Sequence, residues 1–468
     1  MDGKSGGLTL LSSRRCFLSK ASFLFKSGFR VILLRPAIRT TLSCIILPLF
    51  ILSLFILSLT ACGPSTDQPA ATSDCVTCHQ DATPGIVTDW ELSTHSTNGV
   101  DCVMCHGGDH RTEEDVALAG VATPDVCATC HPIQVEQFAG GKHSLAWTSM
   151  NAMPTTHFLP MALTEGMKGC GGCHRIGLKT EEEIKTIKAQ DGLFGLSSCD
   201  VCHTRHLFSV KEAREPQACR TCHMGFDHPQ WEMYSSSKHG VRHLLKQNGT
   251  LPEHAQAPTC QTCHMPQGDH GVRTAWGFLA VRLPLPEDPR WAEDRTTILQ
   301  ALGVLDPAGN PTPRLEVVRQ ADVARLTQAD WQRERDRMTG ICEQCHSGNL
   351  VRAELEKGDE MIRETDRLLA EAVRIVGALY RDGILVRPEH YAYDYPDLLA
   401  FHDAPSRIEQ RLFRMHLEHR MRAFQGTFHN NPDYALWYGW SEMVQDLAEI
   451  RALDRELRED AGRRATLE

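Results

Sequence analysis

The chain lacks several features that would indicate common protein classes. It has no basic stretch of the kind that binds nucleic acid, and its 468 residues carry a formal net charge of −10. No alternation of apolar and polar residues runs through residues 75–264, which argues against a sheet there. After residue 62, no cysteine lies outside one repeated motif, so none is left over. Nucleic-acid binding and an all-β domain are therefore disfavoured, and the cysteines become the main signal.

Sixteen of the 19 cysteines fall into eight CxxCH pentads. At such a motif two thioether bonds and an iron bond from the adjacent histidine attach a c-type haem. Four zinc ribbons are the alternative, but zinc does not require a histidine directly after the second cysteine. The sequence therefore predicts eight covalent haem c groups. The pentads are Cys75-Cys78-His79, Cys102-Cys105-His106, Cys127-Cys130-His131, Cys170-Cys173-His174, Cys199-Cys202-His203, Cys219-Cys222-His223, Cys260-Cys263-His264 and Cys342-Cys345-His346.

The N-terminal segment, residues 1–61, has the pattern of an export signal. A basic head precedes the apolar run "LSCIILPLFILSLFILSLTAC". Its last four letters resemble a bacterial lipobox, which predicts lipidation of Cys62 and a polar tether over residues 62–74. An uncleaved membrane anchor is the alternative, since the run is nearly long enough to span a bilayer. In both cases we expect an exported protein on the periplasmic or outer-surface side of a bacterial membrane.

The rest of the chain divides by composition into two regions. Residues 75–346 form the predicted octahaem-binding domain, in which porphyrin supplies much of the core and the chain is irregular. Residues 347–468 contain apolar residues at three-to-four spacing, which predicts three amphipathic helices that pack on the haems or form an oligomer. The predicted fold class is mainly α: a compact multihaem c-type cytochrome with long C-terminal helices.

One ordered string of motifs resembles octahaem hydroxylamine oxidoreductase. It reads "CDVCHTRH" at 199–206, followed by "PQACRTCHMGFDHPQWEMYSSSKHG" at 216–240. The resemblance implies that seven haems have two histidine ligands and carry electrons. The fourth haem, attached at Cys170 and Cys173 with His174 as its protein ligand, is implied to keep one iron face open as the catalytic centre. Seven histidines match the family's distal ligands: His95, His110, His143, His206, His239, His270 and His429.

Asp227 and His228 acquire a role through the same resemblance. In the family this pair lies over the open iron. An imidazole titrates near neutral pH and can exchange protons, and a neighbouring carboxylate can orient the ring and stabilise its charged form. The alternative is that His228 is one more axial ligand and Asp227 a solvated acid.

The chain departs from the oxidising members of the family at two places. Those enzymes carry a tyrosine from a neighbouring subunit that bonds to the catalytic haem. Here Leu436 or Trp437 occupies that position, and Leu279 replaces a second pocket tyrosine. Tyr434 and Tyr438 flank the first position, and a crosslink from one of them is the alternative. Relatives without the crosslink are associated with reduction of nitrite or hydroxylamine toward ammonium.

We therefore expect an enzyme of the hydroxylamine oxidoreductase type that works in the reductive direction on small nitrogen oxides. Oxidation of hydroxylamine to NO or nitrite is the first alternative, and an electron-transfer-only cytochrome is the second. Octahaem tetrathionate reductase is disfavoured, because that family is expected to use a lysine ligand. The resemblance also implies a homotrimer held by the C-terminal helices, and the redox partner is a quinol pool or a small cytochrome.

Overall fold

The structure is a computed structural model that describes residues 74–152, 169–192, 194–274, 281–282, 285–320, 324–325, 327–400 and 404–467. The predicted signal segment, the lipidation site at Cys62 and the pocket position Leu279 lie outside the described residues. All described residues belong to one unit, Ala70–Glu468. Within them, no helix is both long enough and apolar enough to cross a bilayer.

The region of the first seven haem motifs consists of short helices joined by irregular backbone. Its α-helices are Asp74–Ala82, Pro84–Glu91, Thr94–Thr97, Cys102–His106, Pro124–Ala128, Pro132–Ala139, Ala146–Ala152, Gly171–His174, Glu181–Asp191, Val210–Ala213, Gln217–Arg220, Gln230–Ser236, Lys238–Gln247 and Cys260–His264. Short 3₁₀ turns cover Glu113–Leu118, His143–Leu145, Cys199–Val201 and Pro266–Gly268.

Local sequence explains why these helices are short. The carboxylate of Asp101 accepts from the backbone N–H of Met104 at 3.0 Å and starts the helix over the second pentad. Gly107 then takes a φ of +73°, which ends that helix directly after the pentad histidine. Thr259 starts the helix over the seventh pentad in the same way, with its hydroxyl accepting from Thr262 N–H. Each of these pentads is therefore about one helical turn with a fixed beginning.

Longer helices and one pair of very short strands follow the seventh motif. Helices Pro289–Ala301, Arg314–Gln320 and Gln328–Cys342 lead to the eighth pentad. Strands Val281–Arg282 and Ala324–Arg325 pair in parallel, with Val281 opposite Ala324. Helix Pro289–Ala301 begins at the end of a Pro-rich stretch. The carboxylate of Asp288 accepts from Trp291 N–H as the N-cap, and Pro289 takes the first helical position.

The C-terminal region is built from long helices, as the sequence predicts. They are Gly348–Arg381, Arg407–Arg414, Met421–Phe428 and Glu442–Ala465, with wide π-helical turns at Met415–Arg420 and Asp433–Ser441. The 34-residue helix Gly348–Arg381 packs against Pro289–Ala301, Met421–Phe428 and Glu442–Ala465. Leu369 and Leu379 on the first helix and Ile450 on the last are fully buried in this core. The prediction of a mainly α fold with long C-terminal helices is confirmed.

A buried ion cluster ties three of these helices together. Asp366 is almost fully buried and accepts from Arg420 Nη2 at 2.8 Å and from Trp291 Nε1 at 2.8 Å. Arg295 Nε lies 3.1 Å from the same carboxylate. The two guanidinium groups and the carboxylate pair with one another, and each of these charges would be costly to bury alone.

Candidate active site: a cavity lined by the haem motifs

A single large cavity of about 2640 Å³ runs through the motif region. Its walls include all eight pentad histidines, all seven predicted distal histidines and His228, together with fourteen of the sixteen pentad cysteines. A site for one small molecule is typically 300–1,000 Å³. The sixteen pentad cysteines form no disulfide with one another, so their sulfurs are available for thioether bonds. Volume and lining both suit several large apolar cofactors attached through these cysteines.

The histidine rings in this cavity lie in pairs. Seven pentad histidines each have one of the seven predicted distal histidines about 6 Å away, measured between ring centroids. Two imidazoles that bind one metal from opposite sides, with bonds of about 2 Å, place their centroids roughly 6 Å apart. The pairs are His79–His110 (6.1 Å), His106–His206 (6.2 Å), His131–His95 (6.2 Å), His203–His270 (6.2 Å), His223–His143 (6.0 Å), His264–His429 (6.3 Å) and His346–His239 (6.0 Å).

Hydrogen bonds at Nδ1 orient several of these rings. His106 Nδ1 lies 3.0 Å from Gly120 O, and His429 Nδ1 lies 2.7 Å from Gln425 O. A carbonyl oxygen only accepts, so Nδ1 carries the proton and Nε2 keeps its lone pair. Metal-binding histidines almost always make such a bond with the other ring nitrogen. The rings are therefore held in the tautomer that suits an iron bond at Nε2.

The fourth motif forms the short helix Gly171–His174, and its histidine is anchored in the same manner. His174 Nδ1 lies 3.0 Å from Ala146 O, the first residue of helix Ala146–Ala152. Burial lowers the pKa of His174, the hydrogen bond to Ala146 raises it, and the charges of His228 and Asp227 act on it as well. The two residues predicted to be catalytic therefore lie within electrostatic reach of the fourth motif's histidine.

Asp227 and His228 contact each other directly. Asp227 Oδ2 lies 3.0 Å from His228 Nδ1, and the two side chains are 40% and 25% exposed. Burial raises the pKa of Asp227, but the hydrogen bond to His228 and the charge of that ring outweigh burial, so the pKa falls below its ordinary value. The carboxylate is thus held ionised beside a ring that can carry a proton.

The backbone around this pair is held at both ends. Gly225 has a φ of +92°, a conformation that favours glycine, and its N–H donates to Glu232 Oε1 at 3.0 Å. Trp231 N–H donates to His223 O at 2.9 Å. The loop that carries Asp227 and His228 is therefore fixed between the sixth pentad and the helix that follows it.

His228 lies between the fourth and sixth motifs. Its ring centroid is 6.0 Å from that of His223, the same separation that His143 has from His223. The interplanar angles are 68° for His228 and 44° for His143. The ring of His228 contacts the carboxylate of Asp227, and its charge lowers the pKa of His174. The pKa of His143 is lowered by burial and by the charge of His264.

Thiol contacts show which motifs adjoin. The side chains of Cys173 and Cys222 interact, so the fourth motif adjoins the sixth. Cys219 meets Cys260 in the same way, which joins the sixth motif to the seventh. Cofactors attached at these sulfurs would lie next to one another.

The segment at the expected position of the crosslinking tyrosine is a wide helical turn. Leu436, Trp437 and Tyr438 on it are 39%, 62% and 53% exposed, and the rings of Tyr434 and Tyr438 lie 5.2 Å apart. Just before it, the buried Asn431 donates to Met233 O at 2.8 Å and Ser236 Oγ at 2.7 Å.

Sequence reasoning did not find the partners that orient the ligand rings. Ala146, Gly120 and Gln425 contribute backbone carbonyls, which leave no signal in the side-chain sequence. Asp115, whose Oδ1 lies 2.8 Å from His110 Nδ1, does leave a signal: it stands three residues after Thr112 in "TEED", an N-terminal capping pattern close behind His110. Asn431 lies in "HNNPD", where an amide before a proline indicates only a turn.

A family model described as "Seven times multi-haem cytochrome CxxCH" matches residues 98–296 and 313–390, more than half of the chain. The chain belongs to this multihaem cytochrome family. Covalent c-type haems are the cofactors of such proteins, and the cavity described above fits them.

Two similar proteins extend the identification of this multihaem cytochrome. A probable nitrite reductase–hydroxylamine oxidoreductase fusion protein of Kuenenia stuttgartiensis is 26% identical over 82% of this chain and 51% of its own length. The chain thus spans about half of that relative. A chain of the reducing hydroxylamine-oxidoreductase-like complex of the same organism has a TM-score of 0.60 at 23% identity, over 84% of this chain and 86% of that one.

A hypothetical multihaem protein has a TM-score of 0.58 at 19% identity, over 88% of this chain and 99% of that one. Both solved structures share the fold. The resemblance to the hydroxylamine oxidoreductase family, inferred from the motif string, is confirmed at the level of a hydroxylamine-oxidoreductase-like multihaem cytochrome.

Proposed function

We propose that this cytochrome is an octahaem oxidoreductase that reduces a small nitrogen oxide, hydroxylamine or nitrite, at the haem attached to Cys170 and Cys173. One observation carries the proposal. Each of the seven predicted distal histidines lies opposite a different pentad histidine, and the pentad histidine outside these seven pairs, His174, lies within electrostatic reach of Asp227 and His228. The seven histidine pairs would hold seven haems, and these would pass electrons to the haem held by His174.

A haem iron with a single protein ligand can bind a small nitrogen oxide and exchange electrons with it. The chain's own residues handle the protons. Reduction of hydroxylamine to ammonium consumes two electrons and three protons and releases one water. The electrons come from an external donor, a quinol or a small cytochrome. His228 delivers protons to the bound substrate, and Asp227 holds the ring at Nδ1 and stabilises its charged form.

We assign His143, not His228, as the second ligand of the iron bound by His223. The ring of His228 lies 6.0 Å from that of His223 and also interacts with His174, so it faces two motifs, which suits a proton carrier better than a ligand fixed to one iron. With this assignment each iron other than that of His174 has one pair of rings at the expected separation.

Two observations support the reductive direction. One of the solved relatives of similar length carries "reducing" in its name. Leu436 or Trp437 occupies the place where oxidising enzymes carry the crosslinking tyrosine. We further propose that the mature protein is lipid-anchored at Cys62 on the outer side of a bacterial membrane and forms a homotrimer. The exposed apolar residues Leu436 and Trp437 favour an interface at the C-terminal helices.

Steady-state assays of the purified haem-loaded protein test the activity in both directions, with nitrite or hydroxylamine as electron acceptor and with hydroxylamine as donor. We expect reduction to be the faster direction. Electron paramagnetic resonance should show one high-spin haem, perturbed by cyanide or nitrite, among low-spin haems. If every haem is low-spin and inert to ligands, the protein carries electrons only.

The variant His228→Ala tests the role of His228 in proton delivery. The control is His254→Ala, which removes an exposed histidine outside the site. Removing a general acid typically costs about 10²–10⁴ in rate, so His228→Ala should lower kcat by that factor with the low-spin spectrum unchanged. A second high-spin haem in this variant would show instead that His228 is an axial ligand, and would overturn the assignment.

The variant Asp227→Asn tests the carboxylate through the pH dependence of kcat. The pKa of Asp227 is lowered, so its pairing with His228 is present above the ordinary range of an aspartate and is lost only as the pH falls through the lowered value. Without the negative charge, the protonated ring is less stable, and the alkaline limb of the profile should move to lower pH. An unchanged profile would mean that the carboxylate does not act on His228.

A further inference from the structure

The predicted distal ligand His110 differs from the other candidate iron ligands in its hydrogen-bond partner. His110 Nδ1 lies 2.8 Å from Asp115 Oδ1, a carboxylate oxygen. The other Nδ1 bonds of candidate ligands within the described ranges go to neutral oxygens. They end on Thr83 Oγ1, Gln230 Oε1, and the carbonyl oxygens of Gly120, Ala146, Arg273 and Gln425.

The carboxylate of Asp115 is built into the backbone and is not a loose surface acid. The same oxygen, Oδ1, accepts from Arg111 N–H and Thr112 N–H, each at 2.9 Å. The Thr112 contact makes Asp115 part of the capping box that starts the 3₁₀ turn Glu113–Leu118. These backbone hydrogen bonds, with that from Thr112 the strongest, lower the pKa of Asp115, and the group stays ionised.

The opposite ring of the same pair has a neutral partner. His79 Nδ1 lies 2.8 Å from Thr83 Oγ1, and the centroids of His79 and His110 are 6.1 Å apart. Thr83 is the N-cap of helix Pro84–Glu91, but its side chain makes no capping hydrogen bond, so its hydroxyl is committed to His79. The two ligands of one iron thus differ in the charge of the group behind them.

A carboxylate behind a metal-bound imidazole draws the Nδ1 proton toward itself and makes Nε2 a stronger electron donor. A stronger donor stabilises ferric iron more than ferrous iron, which lowers the reduction potential of the haem. We propose that Asp115 is a positioning residue that fixes the ring of His110 and sets the haem of Cys75 and Cys78 at a lower potential than a neutral partner would give. The inference rests on the proposed ligation of that iron by His79 and His110.

Because many acidic side chains surround Asp115, the test needs a control variant that removes an equal charge nearby. Residues 74–131 contain ten acidic side chains and one basic side chain, Arg111, so any lost charge there changes the local field. Glu113 is exposed and lies two residues from Asp115. Glu113→Gln removes the same charge without touching the hydrogen bond to His110.

The test is a spectroelectrochemical titration of the haem-loaded full chain carrying Asp115→Asn. Asparagine keeps Oδ1 as an acceptor for the two backbone N–H groups but removes the charge behind His110. One of the one-electron components of the titration, that of the haem of Cys75 and Cys78, should become easier to reduce. At a fixed solution potential its ferrous-to-ferric ratio should rise at least tenfold, which corresponds to an increase of about 59 mV in its reduction potential. Glu113→Gln should shift the reduction potential of this component much less. Equal shifts in the two variants would leave only a through-space charge effect and would overturn the proposal.

Two further variants assign the component and separate this inference from the ligation on which it depends. Thr83→Val should shift the same component by a smaller amount, since it removes a neutral partner from the opposite ring. His110→Ala should create one new high-spin haem. If it does not, His110 binds no iron, and both the ligation and the role of Asp115 fail. If His110→Ala creates the high-spin haem but Asp115→Asn leaves every reduction potential unchanged, the ligation by His110 stands and the tuning role of Asp115 is wrong.

Discussion

The motif region, residues 74–274, and the C-terminal helices, residues 348–465, are stabilised by different means. The main apolar core lies entirely between Ile298 and Leu453. Among the described residues of the motif region few apolar side chains are buried by protein, and several that are exposed, such as Met104 and Val116, line the cavity. One region thus packs side chain against side chain, whereas apolar side chains of the other face a cavity that would hold the cofactors. We therefore expect the two regions to depend on the haems to different degrees.

The largest expected effect is that of omitting the haems. Expression without haem attachment should leave residues 74–274 with opening free energies near zero in hydrogen exchange, since their core is missing. Helices Gly348–Arg381 and Glu442–Ala465 should keep measurable protection through their own apolar contacts. Equal protection, or equal loss, in both regions would show that the proposed difference does not exist.

A smaller effect is expected from the buried ion cluster. Asp366→Ala leaves the buried Arg295 and Arg420 without their shared carboxylate, and breaking a buried pair costs about 3–5 kcal/mol in the free energy of unfolding. Denaturant unfolding of the haem-loaded protein measures this change. The control Asp460→Ala removes an exposed partner of Arg463, for which we expect about 0–1 kcal/mol. Similar losses in the two variants would contradict the prediction.

Matched leucine truncations compare the two regions most directly. Leu369 is fully buried in the C-terminal core, so Leu369→Ala should cost about 2–5 kcal/mol in the free energy of unfolding. Leu92, in the motif region, is 70% exposed and does not line the cavity, so Leu92→Ala should stay within about 0.5 kcal/mol. A cost at Leu92 comparable to that at Leu369 would indicate that this side chain is covered by a partner surface.

Sequence reasoning was most successful where covalent chemistry fixes the spacing. A thioether pair with its proximal ligand requires Cys, Cys and His within five residues, so the motif is local and visible at each pentad. The long C-terminal helices were predictable because one buried stripe requires apolar residues at helical spacing, as at Leu369 and Leu379. The existence of seven distal candidates came from a family resemblance, not from any rule of local structure.

The pairing of those candidates could not be predicted, because it joins distant parts of the chain. His264 faces His429 across 165 residues, whereas His79 faces His110 across 31. No periodicity relates such positions. The ion cluster of Asp366 with Arg295 and Arg420 is equally invisible, since charged residues on a helix are usually solvated and only burial distinguishes these.

The sequence by itself determined where haems attach, which helices have an apolar face and which side chains are chemically suited to bind iron or move protons. Those properties belong to single residues or to spacings of a few residues. Only the tertiary structure decided which two rings face each other about 6 Å apart, that Asp227 and His228 interact with His174, and that His110 has a carboxylate behind it. Such relations depend on distances between segments far apart along the chain, and these are set by packing of the whole molecule.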